Sequence, residues 1–340
     1  MFPLYTLFLH TSNMKHAIPE TINIAVLNTT HIGTTLCDFP LYRKIQKAYP
    51  KAKITIILCK RNGVLKNFLI KNGFNVIVFE NNFVGPSRYK VLLNAFLGRY
   101  GKYDLAVCGL EPRKTDHLFL RALSKNCIAY GENNWHSKLI KHMVKFDRSK
   151  YEEQSQAEFS ARVFSDDPID KSEWPIWDKP KSFFPKLTLL IQTSNNRDHS
   201  ILSYDRMATV LNRAHSQIPF NLIINIIEEN KYLEGLKKSL SFSSYEVVKT
   251  QNFDDFLSLI NNVDLTLLGD GGASHIAALT STPSLILFGK TSSIHWTPLW
   301  GGVKLILRNE NRVDDIDEKL ILGKLLSLLS LTRSYRDKLS

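Results

Sequence analysis

A glycine-rich turn in the second half of the chain combines residue types that can hold an anion and a sugar. Residues 270–278 are Asp-Gly-Gly-Ala-Ser-His-Ile-Ala-Ala, and they follow an apolar segment, 263–268, that is predicted to be a strand. A helix that begins at such a turn presents free backbone N–H groups and the positive end of its dipole, which favour a bound anion. Gly271 and Gly272 leave room for a phosphate at the backbone, and the Asp270 carboxylate can accept hydrogen bonds from sugar hydroxyls. The segment therefore predicts a ligand site, although glycines also occur in a plain strand-to-helix turn.

A second turn, near the start of the chain, carries hydroxyl and imidazole groups. Residues 28–35 are Asn-Thr-Thr-His-Ile-Gly-Thr-Thr, directly after a predicted strand, 22–28. A dinucleotide-binding fold would have three glycines in the spacing G-x-G-x-x-G at this point, and here only Gly33 is present. This argues against NAD or FAD and indicates a turn suited to a hydroxyl-rich ligand.

Strand-like and helix-like segments alternate around both turns, which predicts the α/β fold class. Continuous apolar runs are typical of strands buried on both faces of a parallel sheet, with helices packed on each side. The predicted strands are 22–28, 54–59, 75–79, 103–109, 127–130, 187–192, 220–227, 263–268 and 285–288.

A proline-rich stretch divides the alternating pattern in two. Pro168, Pro175, Pro180 and Pro185 exclude a helix or a central strand there. We therefore expect two Rossmann-like domains that face a central cleft, with ligands beyond the carboxyl ends of the strands. The predicted division is an N-terminal tail (1–18), a first domain (19–165), a linker (166–186), a second domain (187–319), and a C-terminal helix and tail (320–340).

Composition limits the classes of protein and partner. Lysine and arginine number 44 against 32 acidic residues, and the net charge of +12 favours an anionic partner without choosing one. No nucleic-acid-binding motif accompanies this charge, so we expect no nucleic acid partner. The N-terminus lacks a signal-peptide pattern and no segment is predicted to span a bilayer. The four cysteines, which form no C-x-x-C pair, indicate a reducing cytosol and neither a zinc site nor disulfides.

Three segments resemble glycosyltransferase family 9, the lipopolysaccharide heptosyltransferases. The first segment is the N-terminal strand, turn and helix, together with residues 39–50. The second is the loop 192–203, which contains Arg197. The third is residues 270–298, in which Gly-Lys-Thr follows the last predicted strand. With the two-domain plan, the resemblance covers most of residues 20–310. It implies the GT-B fold and an inverting transfer of heptose from ADP-heptose to the lipopolysaccharide inner core, without a metal or other cofactor.

The resemblance also assigns the two substrates to the two domains. The donor domain would grip the heptose through Asp270 and neutralise the leaving diphosphate with backbone N–H groups and cations. The implied donor-binding residues are Asp270, Gly271, Gly272, Ala273, Ser274, His275, Arg197 and Lys290. The implied acceptor-binding residues are Gly33, Thr34, Arg113 and Lys114, with Lys60 and Arg61 as further candidates.

One departure from the family concerns the catalytic base. The family commonly has Gly-Asp where this chain has Gly33-Thr34, and a threonine hydroxyl is not basic near neutral pH. Asp38 follows four residues later, on the same face of a helix and one turn deeper. Three hypotheses stay open: Asp38 is a relocated base, His31 is the base because its reference pKa is near neutral, or the enzyme is impaired or uses another base.

Other functions also stay open at this point. The missing Gly-Asp favours a catalytically silent GT-B scaffold, and a GT-B sugar-nucleotide epimerase would share the architecture. A transferase would use a nucleotide-sugar donor and a lipid-linked anionic saccharide acceptor, as a cytoplasmic protein peripheral on the inner face of the bacterial inner membrane. A predicted helix with basic residues is a candidate contact with that anionic membrane surface, or a solvated face. Its basic residues are Lys138, Lys141, His142, Lys145 and Arg148.

Overall fold

The computed structural model describes two compact units, with the boundary between Pro175 and Ile176. Each unit contains a sheet of six described strands, and every neighbouring pair of strands is parallel. The predicted α/β class with two Rossmann-like sheets is therefore confirmed. The described residues are 22–82, 85–109, 113–131, 136–140, 142–145, 173–177, 184–193, 198–298 and 300–338.

The first unit alternates strands and helices along the chain. Its strands are β1 (Asn23–Asn28), β2 (Lys53–Leu58), β3 (Asn75–Val78), β4 (Leu105–Cys108), β5 (Cys127–Gly131) and β6 (His142–Lys145). Its helices are α1 (Ile32–Cys37), α2 (Phe39–Ala48), α3 (Lys66–Lys71), α4 (Ser87–Phe96) and α5 (Lys114–Leu123). The strands lie in the order β3-β2-β1-β4-β5-β6. Ala25 and Ile57 of the sheet share one buried core with Leu92 of α4 and Phe119 of α5.

The second unit repeats the same plan. Its strands are β7 (Thr188–Gln192), β8 (Asn221–Ile226), β9 (Tyr245–Lys249), β10 (Leu265–Gly269), β11 (Ser284–Phe288) and β12 (Lys304–Arg308). Its helices are α6 (Tyr204–Gln217), α7 (Lys231–Ser239), α8 (Phe253–Asn262), α9 (Gly272–Ala277), α10 (Ser293–Trp296) and α11 (Glu318–Asp337). The strands lie in the order β12-β11-β10-β7-β8-β9. Leu189 and Leu267 of the sheet share a core with Leu211 of α6 and Leu325 of α11.

In both sheets the first strand of the unit marks the point where the strand order reverses. β1 lies between β2 and β4, and β7 lies between β8 and β10. In doubly wound sheets, ligands bind beyond the carboxyl ends of the strands at this switch point. The turns after β1 and β10, which the sequence predicts to be functional, both begin there.

The helical segment after β1 is interrupted at Asp38. α1 ends at Cys37 and α2 begins at Phe39, with Pro40 in the first turn of α2. Proline has no N–H to donate, and its ring crowds the carbonyl four residues earlier. A proline in the interior of a helix therefore kinks or ends the helix. In the first turn of a new helix proline is well tolerated. Asp38 therefore lies at the junction of two helices.

The predicted basic helix around residues 138–148 is wrong. His142–Lys145 forms strand β6, which pairs with β5 from Ile128 to Gly131, and Lys138 lies in a short 3-10 turn, Ser137–Leu139. The edge of β5 offers unpaired backbone groups, and pairing with them outweighs a helical spacing of charges. Lys141 and Arg148 lie outside the described residues.

The four cysteines, Cys37, Cys59, Cys108 and Cys127, are buried thiols. Burial raises the pKa of Cys127 to about 11. Burial also raises the pKa of Cys108 well above its usual range, and the carboxylates of Asp116 and Asp38 add to the shift. At neutral pH these two thiols are protonated and behave as small apolar side chains.

The predicted C-terminal helix is present and packs on the second core. Its apolar face is buried at Ile321 and Leu325, among others. The helix continues beyond Arg333 to Asp337, and its last turn is held by the contact of Arg336 with Asp264. Arg336 Nη1 lies 2.8 Å from the Asp264 carboxylate, which has no exposed surface and also accepts the Thr188 N–H at 2.8 Å.

Replacing Arg336 by alanine is expected to destabilise the protein, because it leaves a buried carboxylate without its cation. Breaking such a pair costs about 3–5 kcal/mol, and the lower end applies here because the Arg336 side chain is 21% exposed. Urea unfolding measures the change. The matched control is Arg333→Ala, an exposed arginine on the same helix, which should cost less than about 0.5 kcal/mol. Equal losses in the two variants would contradict the role of the Arg336–Asp264 pair.

Candidate active site

The donor-binding turn lies at the carboxyl end of β10. Asp270 is 2% exposed, and its N–H donates to the Leu287 carbonyl of β11 at 2.9 Å, which fixes the turn to the sheet. Gly271, Gly272 and Ala273 follow, half-buried, at the start of α9. The first N–H groups of a helix have no acceptor within it, so this backbone can donate to an anion.

Two side chains of the same turn have structural contacts. The Ser274 hydroxyl donates to the Gly271 carbonyl at 2.8 Å and is buried, so it stabilises the turn. His275 is 3% exposed and lies against two indole rings, with centroid distances of 6.4 Å to Trp296 and 6.0 Å to Trp300. This enclosed position favours a packing role for His275 over the implied contact with the donor.

Gly289, directly after β11, brings a second chain segment to the same edge. A Cβ at this position would clash with the carbonyl oxygen of His199 and crowd the backbone of Arg312 and Val313. Only glycine allows this close approach, so the segment that follows the loop after β7 lies against the end of β11. Lys290 comes next and is exposed. Arg197 lies outside the described residues.

A row of neutral polar groups, which sequence reasoning missed, lies along the ends of β7, β8 and β9. Asn225 is buried and its side chain donates to Gln192 Oε1 at 2.5 Å and accepts the Thr250 hydroxyl at 3.2 Å. The Thr193 hydroxyl donates to the Asn225 carbonyl at 3.3 Å. The available signal was a single amide residue within an apolar strand, Ile-Asn-Ile. Such amides suit a base or a ribose better than a phosphate.

In the first unit, the Thr34 side chain is part of the turn itself. Its hydroxyl donates to the His31 carbonyl at 2.7 Å and accepts the His31 N–H at 3.0 Å, which caps α1. The Thr30 hydroxyl lies 2.6 Å from the Thr34 hydroxyl. Thr34 and Gly33 are both buried. These contacts hold the turn in shape, and the predicted contact of Gly33 and Thr34 with the acceptor stays a prediction.

Asp38 lies behind this turn, with no exposed surface. Its carboxylate accepts Asn28 Nδ2 at 2.6 Å, and a Cβ on Gly109 would clash with both of its oxygens. Burial raises the pKa of the adjacent Tyr42 well above its usual range, and the charge of Asp38 adds to the shift. Asp38 therefore connects β1, β4 and α2, a position that favours support of the turn over contact with a sugar hydroxyl.

His31 is on the outer side of the same turn and is exposed. Arg61 Nη1 lies 3.3 Å and 3.4 Å from its two ring nitrogens. Arg61 follows β2, so two neighbouring strands, β1 and β2, bring an imidazole and a guanidinium together at the carboxyl edge of the sheet. This pair can offer both a proton acceptor and a positive charge to a ligand.

Arg113 is held at the start of α5, at the same edge. Its Nε lies 3.0 Å from Asp116 Oδ2, and its Nη2 donates to the Thr29 hydroxyl at 2.6 Å, while that hydroxyl donates to Asp116 at 2.8 Å. Burial by itself lowers the pKa of the Arg113 guanidinium. The Asp116 carboxylate raises this pKa by more than burial lowers it, so the pKa is above its usual value. The Arg113 side chain remains one-third exposed, and the neighbouring Lys114 is exposed. Sequence reasoning missed Asp116, whose signal is an acidic residue in the first turn of a helix.

A histidine pair lies beside this edge, with His117 in α5 and His136 after β5. His117 is buried, with Nε2 at 2.9 Å from the Tyr130 carbonyl and Nδ1 at 2.9 Å from Nδ1 of His136. The carbonyl requires Nε2 of His117 to carry the proton, so in the neutral ring Nδ1 accepts from His136. Burial lowers the pKa of His117, and the hydrogen bond to Tyr130 opposes the shift in part.

This pair predicts a loss of stability in mild acid. Because the folded pKa of His117 is below its unfolded value of about 6.5, the unfolded chain takes up a proton first as the pH falls. The free energy of unfolding should then fall with a slope of up to about 1.4 kcal/mol per pH unit per proton, until the folded form is also protonated. Urea unfolding of the wild type and of His117→Gln, at about pH 7.5 and about pH 5.5, measures this change in the free energy of unfolding. An equal pH dependence in both proteins would contradict the assignment.

A concavity of about 560 Å³ lies elsewhere, at the amino edge of the second sheet. It is lined by His215, Phe242 and Tyr245, among others, and the His215 ring stacks on Phe242 at 4.0 Å. It has none of the polar groups described above. Since ligands of such sheets bind at the carboxyl edge, we do not assign a substrate to this concavity.

Comparisons with known proteins are consistent with this geometry. The model of glycosyltransferase family 9 (heptosyltransferase) matches residues 138–325, which is more than half of the chain and includes the donor-binding turn. The residues around His31 and Arg113 lie outside the match. No curated protein sequence matches the chain. In the part of the chain that the structure describes, we find no helix long and apolar enough to cross a membrane.

Three solved structures have the same fold. A family 9 glycosyl transferase from Veillonella parvula DSM 2008 has a TM-score of 0.72 at 12% identity, over 91% of this chain and 97% of that chain. The E. coli heptosyltransferase WaaC with ADP has 0.68 at 12% identity, over 92% and 99%. The E. coli ADP-heptose lipopolysaccharide heptosyltransferase II has 0.68 at 16% identity, over 92% and 100%.

Proposed function

Since this chain belongs to glycosyltransferase family 9, the heptosyltransferases, and is a glycosyltransferase, we propose that it transfers heptose from ADP-heptose to the inner core of a lipid-linked, anionic lipopolysaccharide or lipooligosaccharide acceptor. The observation that carries the proposal is the position of Asp270–Ala273 at the switch point of the second sheet, within the family match. The similar E. coli structures, one with ADP and one named for ADP-heptose, support an ADP-sugar as the donor.

The second unit would bind this donor. The backbone N–H groups of Gly272 and Ala273 would hold the diphosphate, and Asp270 would hold heptose hydroxyls. Lys290, exposed at the same edge, would supply the cation that stabilises the leaving ADP, with Arg197 as a second candidate. We propose that no metal or other cofactor takes part. The neutral row of Gln192, Asn225 and Thr250 suits the nucleoside.

The first unit would bind the acceptor and activate its hydroxyl. Arg61, Arg113 and Lys114 bring positive charge to one edge of the sheet, which suits phosphate or carboxylate groups on the acceptor. Of the candidate bases, we propose His31, because it is exposed at that edge whereas the Asp38 carboxylate is enclosed. Its imidazole would accept the hydroxyl proton while that oxygen attacks the anomeric carbon. The bond from this carbon to the ADP oxygen breaks, and the configuration inverts.

A binding screen tests this function and its alternatives. ADP-, GDP- and UDP-sugars are added separately and the melting temperature of the purified protein is measured. At a hundred times the Kd, a bound donor stabilises the folded state by about 2.7 kcal/mol, so ADP-heptose should give a selective rise. Selective stabilisation by a UDP-sugar would favour an epimerase, and no response to any sugar nucleotide would favour a silent scaffold.

The acceptor also determines where the protein would work. A lipid-linked saccharide is held at a membrane, so we propose a cytoplasmic protein that associates peripherally with the inner face of the bacterial inner membrane.

A further inference from the structure

Helix α4 has an apolar outer face. Tyr89, Leu93, Phe96 and the adjoining Leu97 are 60%, 59%, 55% and 60% exposed. Their spacing of four, seven and eight residues places them on one side of a helix. The opposite side packs on the core of the first unit through Val91, Leu92 and Ala95. We call the four exposed residues the α4 stripe; from Tyr89 to Leu97 it extends about 12 Å along the helix axis.

Along the chain, the α4 stripe is flanked by charge of one sign. Arg88, Lys90, Arg99 and Lys102 are basic, and residues 81–103 include no acidic residue. The Arg88 guanidinium lies 4.9 Å from the centre of the Tyr89 ring and donates to its hydroxyl at 3.0 Å. An exposed apolar face with flanking cations is typical of a helix that lies in the interface of an anionic membrane.

The α4 stripe begins close to the proposed acceptor site. α4 follows β3 and α5 follows β4, so both helices start at the carboxyl edge of the sheet. The pKa of Tyr89 is lowered, first by the hydrogen bond from Arg88 and then by the Arg88 charge, and the charge of Lys114 contributes as well. Lys114 is thus near enough to act on the end of the stripe.

From these contacts we propose that the α4 stripe docks the protein on an anionic lipid bilayer. Its apolar side chains would enter the boundary between headgroups and acyl chains, while the flanking arginines and lysines bind the headgroups. The inference deepens the proposed function, on which it rests for a lipid-linked acceptor beside Lys114. A second copy of the chain is a poorer occupant, because a symmetric contact through the α4 stripe would bring like charges together.

Vesicle co-sedimentation of the full-length protein tests the docking surface. The wild type should bind vesicles of phosphatidylcholine with phosphatidylglycerol more strongly than vesicles of phosphatidylcholine alone. Leu93→Ser/Phe96→Ser should lower the partition coefficient about tenfold or more. Lys90→Gln/Arg99→Gln should lower it about 25-fold on anionic vesicles, since each basic residue contributes about fivefold.

A matched control removes two equally exposed leucines elsewhere. Leu320 and Leu331 on α11 are 48% and 62% exposed, and Leu320→Ser/Leu331→Ser should bind vesicles like the wild type. The proposal would be overturned if the wild-type protein did not bind anionic vesicles. It would also be overturned if the Leu93→Ser/Phe96→Ser variant bound them as strongly as the wild type. If the wild type were a dimer in solution and the Leu93→Ser/Phe96→Ser variant a monomer, the result would overturn the proposal and favour a contact between two copies of the chain.

The docking surface and the proposed function can fail separately. The melting-temperature response to ADP-heptose needs no vesicles, and it should be unchanged in the Leu93→Ser/Phe96→Ser variant. A normal response without vesicle binding would refute docking alone. Stripe-dependent vesicle binding without a response to any sugar nucleotide would refute the proposed donor and leave the docking surface intact.

Discussion

Replacing His31 by alanine is expected to lower kcat about 100- to 10,000-fold, the usual contribution of a general base. The imidazole is exposed at the carboxyl edge of the first sheet, where an acceptor hydroxyl can contact it. The donor is assigned to the second unit and His31 belongs to the first, so the donor Kd should be unchanged. Steady-state transfer assays with saturating donor, together with donor titration, measure both quantities.

Asp38→Asn is the informative companion to this variant. If Asp38 supports the turn, the amide retains the shape and kcat should fall far less than in His31→Ala, while the melting temperature changes because the Asn28–Asp38 contact is altered. A large loss of kcat in Asp38→Asn at an unchanged melting temperature, with His31→Ala active, would make Asp38 the base. Wild-type turnover in both variants would exclude both residues as the base.

Replacing Asp270 by asparagine is expected to lower kcat/KM about 10- to 150-fold. Hydrogen bonds to a charged group contribute about 1.5–3 kcal/mol, and the carboxylate would lose this charge-assisted contact with the heptose hydroxyls. The side chain is nearly the same size, and the backbone contact of Asp270 with Leu287 remains. Initial rates at varied ADP-heptose concentration give the change.

The control for Asp270→Asn removes an equal charge from the same unit. Glu246 is exposed on β9, and Glu246→Gln should retain kcat/KM. If Asp270→Asn and Glu246→Gln both retain the wild-type kcat/KM, Asp270 does not bind the donor. If both lose activity to the same extent, the effect is the overall charge of the unit, and the assignment of the sugar to Asp270 is wrong.

The parts of the fold that the sequence predicts are those that local pattern determines. β1, β2, β8 and β11 lie within two residues of their predicted limits, because each is a continuous apolar run that only a doubly covered sheet can bury. The turn after β10 was also predictable, since its glycines, its acidic residue and its helix lie within nine consecutive residues.

The parts that the sequence did not predict depend on contacts between distant residues. Asp116 acquires its position from Thr29, 87 residues away, and Asn225 from Gln192, 33 residues away. The basic residues around His142 have helical spacing, yet the edge of β5 makes this segment a strand. The enclosure of Asp38 depends on Gly109, because a Cβ at this position would clash with the Asp38 carboxylate. Gly109 lies 71 residues further along the chain, so no local sequence pattern connects the two residues.

The most direct test of the proposed function is transfer itself. Purified protein is incubated with ADP-heptose and a lipooligosaccharide acceptor that lacks heptose, with a chelator present, and the acceptor is analysed by mass spectrometry. We predict that the acceptor gains one heptosyl residue, with release of ADP. An unmodified acceptor and no ADP release, from protein whose melting temperature shows that it is folded, would contradict the proposal.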